Sequence, residues 1–260
     1  MKIKSWFRPF EILPSLDRSI IFLIWLLFVL FYWILVSSIG EKHLFPTPGQ
    51  VLEGFLNLYN EGLVVHIFSS LGLCLQATVF SILCSLLIAY MVPIPFLLPI
   101  ATLLSKMRYL PLTGITFYLT LAVSDARDMQ VWVLVIFMSL YFITSLIAVI
   151  KDIPAEEIDH ARSLKCSRME ILWEVVAKGR MDYVLDVLRQ NLAITWMMLV
   201  TVESILVAAG GLGVLIKNSD KFMNHGRIVS LQIVILLVGL GIDWSINTFR
   251  KGLFRFSKFN

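Results

Sequence analysis

Long apolar blocks alternate with short charged connectors along the chain, and the blocks have the length of a bilayer crossing. The first apolar run, 20–38, predicts a span over about 19–39. A polar segment, 40–61, follows, with Pro46, Pro48 and several acids. The stretch 67–105 carries no charge and is too long for one crossing, for which about 20 residues at 1.5 Å rise suffice. Pro93 and Pro95 each remove a backbone donor and disfavour helix before them. They divide the stretch into a second span, about 66–92, and a third that starts near Phe96, carries Lys106 and Arg108 in its middle and continues to Val123. Asp125, Arg127 and Asp128 make a polar turn before a fourth span over about 129–150. Densely charged residues fill 151–182. A fifth span covers about 184–209 and contains Asp186, Arg189 and Glu203. A loop over 210–226 leads to a sixth span, about 227–249, with Asp243 near its end. The pattern predicts an all-α membrane protein of about six transmembrane helices, with a cytoplasmic tail over 1–18, a membrane domain over 19–249 and a basic tail over 250–260.

Composition agrees. The chain is 58% hydrophobic and only 15% charged, and its mean hydropathy is +0.83, too little charge for a soluble surface of this length. The N-terminus has the basic start of a signal peptide, and Val36 and Ser38 resemble a cleavage site. The apolar run is nevertheless long enough to cross a bilayer, so an uncleaved first span is expected. Lys and Arg number four in the N-terminal tail, six in 151–182 and four in the C-terminal tail. The connectors assigned to the opposite side hold five. The positive-inside rule therefore puts both termini and 151–182 in the cytoplasm. The net charge of +4 marks orientation, not nucleic-acid binding. Cys74, Cys84 and Cys166 form no CxxC pair and are expected as packed thiols. His43, His66, His160 and His225 lack metal-ligand spacing, so no metal site is expected.

The connector 151–182 is the most informative part of the chain. Pro154 suits a helix start, and Glu156, Glu157 and Asp159 fall in the first turns, where the helix dipole favours negative charge. Ile158, Ala161 and Leu164 recur every three residues on one face. Ser167 with Glu170 three residues on forms a capping-box signature for a second short helix to Val176, with Met169, Leu172 and Val176 as its apolar stripe. Two short amphipathic helices between spans make a protein-docking device; the competing reading is a solvated loop with interfacial helices.

This stretch resembles the EAA loop of ABC importer permeases. Pro154, then Asp159-His160-Ala161, Arg162-Ser163-Leu164 and Lys165 stand where that loop has its proline, its Glu-Ala-Ala, three residues and a glycine. Downstream, Trp196, Glu203 and Gly211-Leu212-Gly213 resemble the family's fifth span and following loop, and Asp243 and the basic tail also match. Phe45-Pro46-Thr47-Pro48, Ser70-Leu71 and Arg108-Tyr109-Leu110-Pro111 resemble the subfamily that serves nitrate, sulfonate, taurine and bicarbonate. The resemblance covers roughly 45–256.

It implies a type I permease bundle in the bacterial inner membrane, paired with a second permease and coupled to separate ABC ATPase subunits that bind ATP and Mg. A periplasmic or lipid-tethered binding protein would deliver the solute. The chain itself would bind no cofactor. Glu156, Glu157, Asp159, His160, Ala161, Arg162, Leu164 and Lys165 would then be the residues that meet the ATPase. The sequence also departs from the pattern. Lys165 replaces the glycine, at a cost of about 1 kcal/mol if the left-handed backbone is kept. His160 replaces an alanine, and Lys178 and Asp182 stand where prolines are common. Such a divergent loop fits a chain that pairs with a different permease carrying the standard one.

Charges at mid-bilayer cost about 2.5–3.5 kcal/mol even on mild scales. Lys106 and Arg108 either sit at the cytoplasmic interface or line an anion pathway, where Pro111 would loosen the helix and free a carbonyl. Glu203 is expected in a structural pair, with Arg108 or across a helix interface, rather than against solute. Asp186 and Arg189, three apart, are expected to pair locally. Gly210-Gly211-Leu212-Gly213 lacks the Gly-Lys-Ser/Thr ending of a P-loop, so nucleotide must bind elsewhere. Arg108, Pro111 and Glu203 are the candidate pathway residues. The solute expected from the subfamily is a small anion. The alternatives are a small organic nutrient resembling a thiamine precursor or riboflavin, or a non-transporting partner permease. A membrane enzyme would need clustered His, Asp or Ser at membrane depth, which the sequence lacks.

Overall fold

The computed structural model describes residues 14–39 and 45–253, a series of helices. The basic residues at 2–8, 42 and 255–258 lie outside the described residues. Helix α1 spans Ser15–Ile39, α2 Pro48–Asn60, α3 Leu63–Ala89, α4 Leu98–Lys106, α5 Leu112–Ala122 and α6 Ala126–Lys151. Then come α7 Ala155–Ser163, α8 Arg168–Ile171, α9 Met181–Ile205, α10 Leu212–Lys221 and α11 His225–Leu253. Among the described residues, α1, α3, α6 and α11 are long and apolar enough to cross a membrane. Helix α9 is as long as α1 but carries the charges already noted.

The core is built on α6, whose buried side chains run from Met129 to Ile147. Helix α3 reaches it through a stripe of small residues at four-residue spacing, Ala77, Ser81, Ser85 and Ala89, all buried. Small side chains let two backbones approach closely, and the hydroxyls then find partners across the gap. Ser81 donates to the Val135 carbonyl and Ser85 to that of Ser139, each at 3.2 Å. Helix α9 packs on the same core through Leu192, Trp196, Leu199 and Val202. Helix α1 turns its apolar side chains outward, and its Trp33 indole donates to the Pro46 carbonyl at 3.1 Å.

Two connectors and one span differ from expectation. The polar segment 40–61 contains α2, started by a capping box in which Thr47 and Gln50 satisfy each other's backbone N–H. Gly54 lets α2 lie on the start of α11, where a Cβ would stand 2.8 Å from Ser230 Oγ and 3.0 Å from the Arg227 backbone. The loop 210–226 contains α10, folded back beside α9 and α11. The third span is not one helix. A 3₁₀ turn at Met107–Tyr109 and an extended Leu110 separate α4 from α5. Pro111, which cannot donate and disfavours helix before it, makes this a break rather than a loosening.

Candidate functional site

Pro154 precedes α7 as its N-cap residue, with an extended backbone. Within α7, Ala161 is buried and Ile158 half-buried, whereas Glu156, Asp159, His160 and Arg162 face solvent. The helix ends in a Schellman motif: the Lys165 amide donates to the Arg162 carbonyl at 2.9 Å and the Cys166 amide to the Ala161 carbonyl at 3.2 Å. Lys165 adopts φ +60°. A lysine thus holds the left-handed geometry that a glycine would take without cost, so the departure from the EAA pattern preserves the backbone path.

Ser167 caps α8 with Glu170 as its reciprocal partner, as the spacing predicts; the Ser167 amide donates to the Glu170 carboxylate at 2.6 Å. That backbone bond, helped by the Ser167 hydroxyl, holds the Glu170 carboxyl below the usual carboxylate range. The helix continues past α8 as a π-helical segment, Leu172–Lys178, longer than the expected end at Val176. Apolar positions here do not all turn inward. Leu164, expected on the buried face of α7, is 66% exposed, and Met169 and Trp173 are 73% and 60% exposed. These three exposed side chains lie beside α7, whose first turn is acidic, at this end of the bundle.

Ion pairs then run from α7 to α9 and from α9 to α11. Arg180 Nη2 donates to both Glu157 oxygens at 2.8 and 2.9 Å. Arg189 makes a two-pronged contact with Asp243, Nε at 2.8 Å and Nη2 at 3.1 Å. Arg250 donates to Asp186 at 3.1 Å. The expected local pair between Asp186 and Arg189 is therefore replaced by two pairs across the α9–α11 interface. Opposite ends of two antiparallel helices satisfy these charges better than a neighbour on the same helix, because the fork of the Arg189 guanidinium can face the Asp243 carboxylate squarely.

Glu203 lies fully buried at the other end of the bundle. Its carboxylate accepts from Ser70 Oγ at 2.7 Å and from the Gly213 amide at 2.9 Å, and Ser70 Oγ in turn accepts from the Leu212 amide at 3.0 Å. Glu203 and Ser70 thus satisfy the first amides of α10, where the dipole favours a negative group. Gly211, at φ +116°, leaves no room for a side chain: a Cβ would stand 2.2 Å from the carboxylate. Arg108 does not pair with Glu203. It donates to the Tyr109 hydroxyl at 3.0 Å and lies half-buried in the break of the third span, near Pro111. Arg127 instead stands at the Glu203 end, donating to the Ser69 carbonyl at 2.7 Å and to Gln130 at 3.3 Å.

An open groove of about 650 Å³ separates α9 from α11. Trp196, Met197, Leu236 and Leu240 line it, with the Arg189–Asp243 pair also on its wall. The Trp196 indole donates to the Ile235 carbonyl at 3.0 Å, and Gly239 leaves space for its ring. Sequence reasoning singled out Trp196 and Asp243 but missed the roles of Arg180, Ser70 and Arg250. For Arg180 the signal was its place directly after Gly179, at the start of a charged helix.

No family model matches the chain. The chain is 26% identical over 224 residues to the taurine transport system permease protein TauC of Escherichia coli (strain K12), covering 80% of this chain and 78% of that protein. Among solved structures, a chain of the MetNI methionine ABC transporter in an inward-facing conformation superposes with a TM-score of 0.61 at 15% identity, over 73% of this chain and 95% of that one. A chain of an amino acid ABC transporter crystallised with histidines gives 0.60 at 17% identity, over 77% of this chain and 97% of that one. The solved structures establish the all-α bundle of an ABC permease. Sequence and fold thus carry one resemblance, to a multi-pass inner-membrane permease subunit of an ABC importer.

Proposed function

We propose that the chain forms the solute pathway of an importer for a small anion of the sulfonate or nitrate class, and that a separate ATPase drives it by moving α7. The observation that carries this reading is α7 itself: a short helix started by Pro154 with acids in its first turn, closed by a left-handed Lys165 and flanked by exposed Leu164, Met169 and Trp173. A solvated loop has no reason to keep a lysine in left-handed backbone or three large apolar side chains in water. ATP and Mg are bound by the ATPase, and this chain carries no catalytic group. A second permease completes the pathway, and a binding protein delivers the solute from outside. Both termini and 151–182 are cytoplasmic, as the basic residues argue. The intact geometry at Lys165 favours a working loop over a degenerate one.

Arg108 and Pro111 are the pathway residues this reading retains: a half-buried guanidinium beside a helix break can meet an anion. Glu203 braces α10 instead. Small organic nutrients form a second reading, favoured by the largely apolar lining of the α9–α11 groove. Proteoliposomes holding the permease, the ATPase that copurifies with it and the binding protein encoded beside it should take up labelled taurine in an ATP-dependent way. Nitrate or other sulfonates should compete. Uptake that only an uncharged organic solute suppresses would favour the second reading. Failure of an ATPase to copurify would end both.

A further inference from the structure

We propose that the Glu157–Arg180 bridge is a mechanical clamp that makes α7 and α9 move as one body, with Arg180 as the positioning residue. This rests on the reading of α7 as the segment that a partner ATPase moves.

Between α7 and α9 the chain passes through the turn at Lys165 and Cys166, the short α8, the π-helical segment and Gly179. No continuous α-helix joins α7 to α9: a turn, a four-residue helix and a π-helical stretch interrupt the regular ladder. Covalent connection alone would therefore let α7 swing without carrying α9. The bridge closes this path, joining residues 23 apart in sequence. Its two sides differ in exposure. The Arg180 side chain is 15% exposed and Glu157 48%. Arg180 sits at the N-cap position of α9, its guanidinium lies 5.4 Å from the Tyr183 ring centroid, and a recess beside it is lined by Ala148, Val149 and Asp152 at the end of α6. The arginine is thus rooted in the bundle and reaches out to hold α7. The contact is charged and joins both carboxylate oxygens, with its arginine side desolvated and its glutamate side open to water.

The motion has somewhere to go. From Arg180, α9 runs to Asp186 and Arg189, whose partners Arg250 and Asp243 belong to α11. The polarity of the two pairs is opposite, so a slide of α9 outward by one turn would set Asp186 against Asp243. This fixes the register of the two helices that wall the groove. A push on α7 then reaches the groove through three ion pairs, without a hinge on the way.

The test uses the full complex with the copurified ATPase. Spin labels are placed at Ser163→Cys on α7 and Met197→Cys on α9, in a chain also carrying Cys84→Ser and Cys166→Ser, diluted with unlabelled chain. Distances are read by pulsed electron resonance, nucleotide-free and trapped with ATP and vanadate. With the bridge intact, the α7–α9 distance is the same in both states. In Arg180→Gln it differs between the states by about 2 Å or more, the scale of helix shifts in switching proteins. The exchanged pair Glu157→Arg with Arg180→Glu restores a state-independent distance. A bridge that only stabilised the fold would change both states alike. Glu157→Gln, on the more exposed side, serves where Arg180→Gln fails to fold. A distance in Arg180→Gln or Glu157→Gln that does not change between the states overturns the clamp. If no ATPase copurifies with the unmutated chain, the functional reading itself fails, which is a different result.

Discussion

Two residue positions hold backbone geometry that their side chains resist, and one pair of glycines separates crowding from conformation. Lys165 and Met223 both adopt positive φ at the ends of helices, where glycine is the usual choice. Lys165→Gly should therefore stabilise the α7 turn by about 1 kcal/mol. Slower amide exchange at Lys165 and Cys166 positions would report it, whereas Lys165→Val should speed that exchange. Gly210 and Gly211 both have positive φ, but only Gly211 faces the Glu203 carboxylate; nothing lies within 4 Å of a Cβ at Gly210. Gly210→Ala should cost about 1–3 kcal/mol from backbone strain alone. Gly211→Ala adds a clash with a buried carboxylate and should cost about 1–3 kcal/mol more than Gly210→Ala. Thermal unfolding of the two variants in detergent separates these effects. The glycine rule was legible in the sequence, since Lys165 was recognisable as a departure with a defined cost. The partner of Glu203 was not legible, because Ser70 lies 133 residues away and an isolated serine in an apolar run carries no sign of its bond.

At the scale of elements, capping and pairing decide which short helices exist. The Ser167–Glu170 box was legible from spacing, and it fixes α8 in solvent where packing does little. Because the folded carboxyl lies below its usual range, the unfolded segment binds a proton more readily. The cap's contribution is thus complete above the ordinary glutamate value and lost as pH falls through the depressed folded value. Amide protection in α8 should decline below about pH 4. Glu170→Gln keeps the cap's geometry and should remove that pH dependence. The α9–α11 pairs make a second expectation. Asp243→Arg sets two cations face to face and should lower the yield of folded protein, and adding Arg189→Asp should recover most of it; size-exclusion profiles compare the two. Sequence spacing suggested a local Asp186–Arg189 pair, since three-residue separation permits one. Tertiary geometry prevailed because α11 brings opposite charges to both positions. The break at Leu110–Pro111 was half visible: proline announced a disturbance, and only the fold tells a kink from a separation into two helices. Helices α2 and α10 went unrecognised because both are short and lie in polar stretches that read as connectors.

Taken whole, the molecule is a helical core on α6 with charged machinery at both ends. Hydrophobic block lengths made the membrane class and the approximate number of spans legible, because the bilayer imposes a length that no packing can override. The groove and the coupling of α7 to α9 were not legible, since they depend on which helices become neighbours. The central claim is that α7 stands in the cytoplasm and is gripped there by an ATPase. An impermeant thiol reagent applied to His160→Cys, in a chain carrying Cys84→Ser and Cys166→Ser, tests it directly. The account predicts labelling in inside-out vesicles, none in right-side-out vesicles, and protection when the ATPase is bound. Labelling from the outside, or labelling that the bound ATPase leaves unchanged, would contradict it.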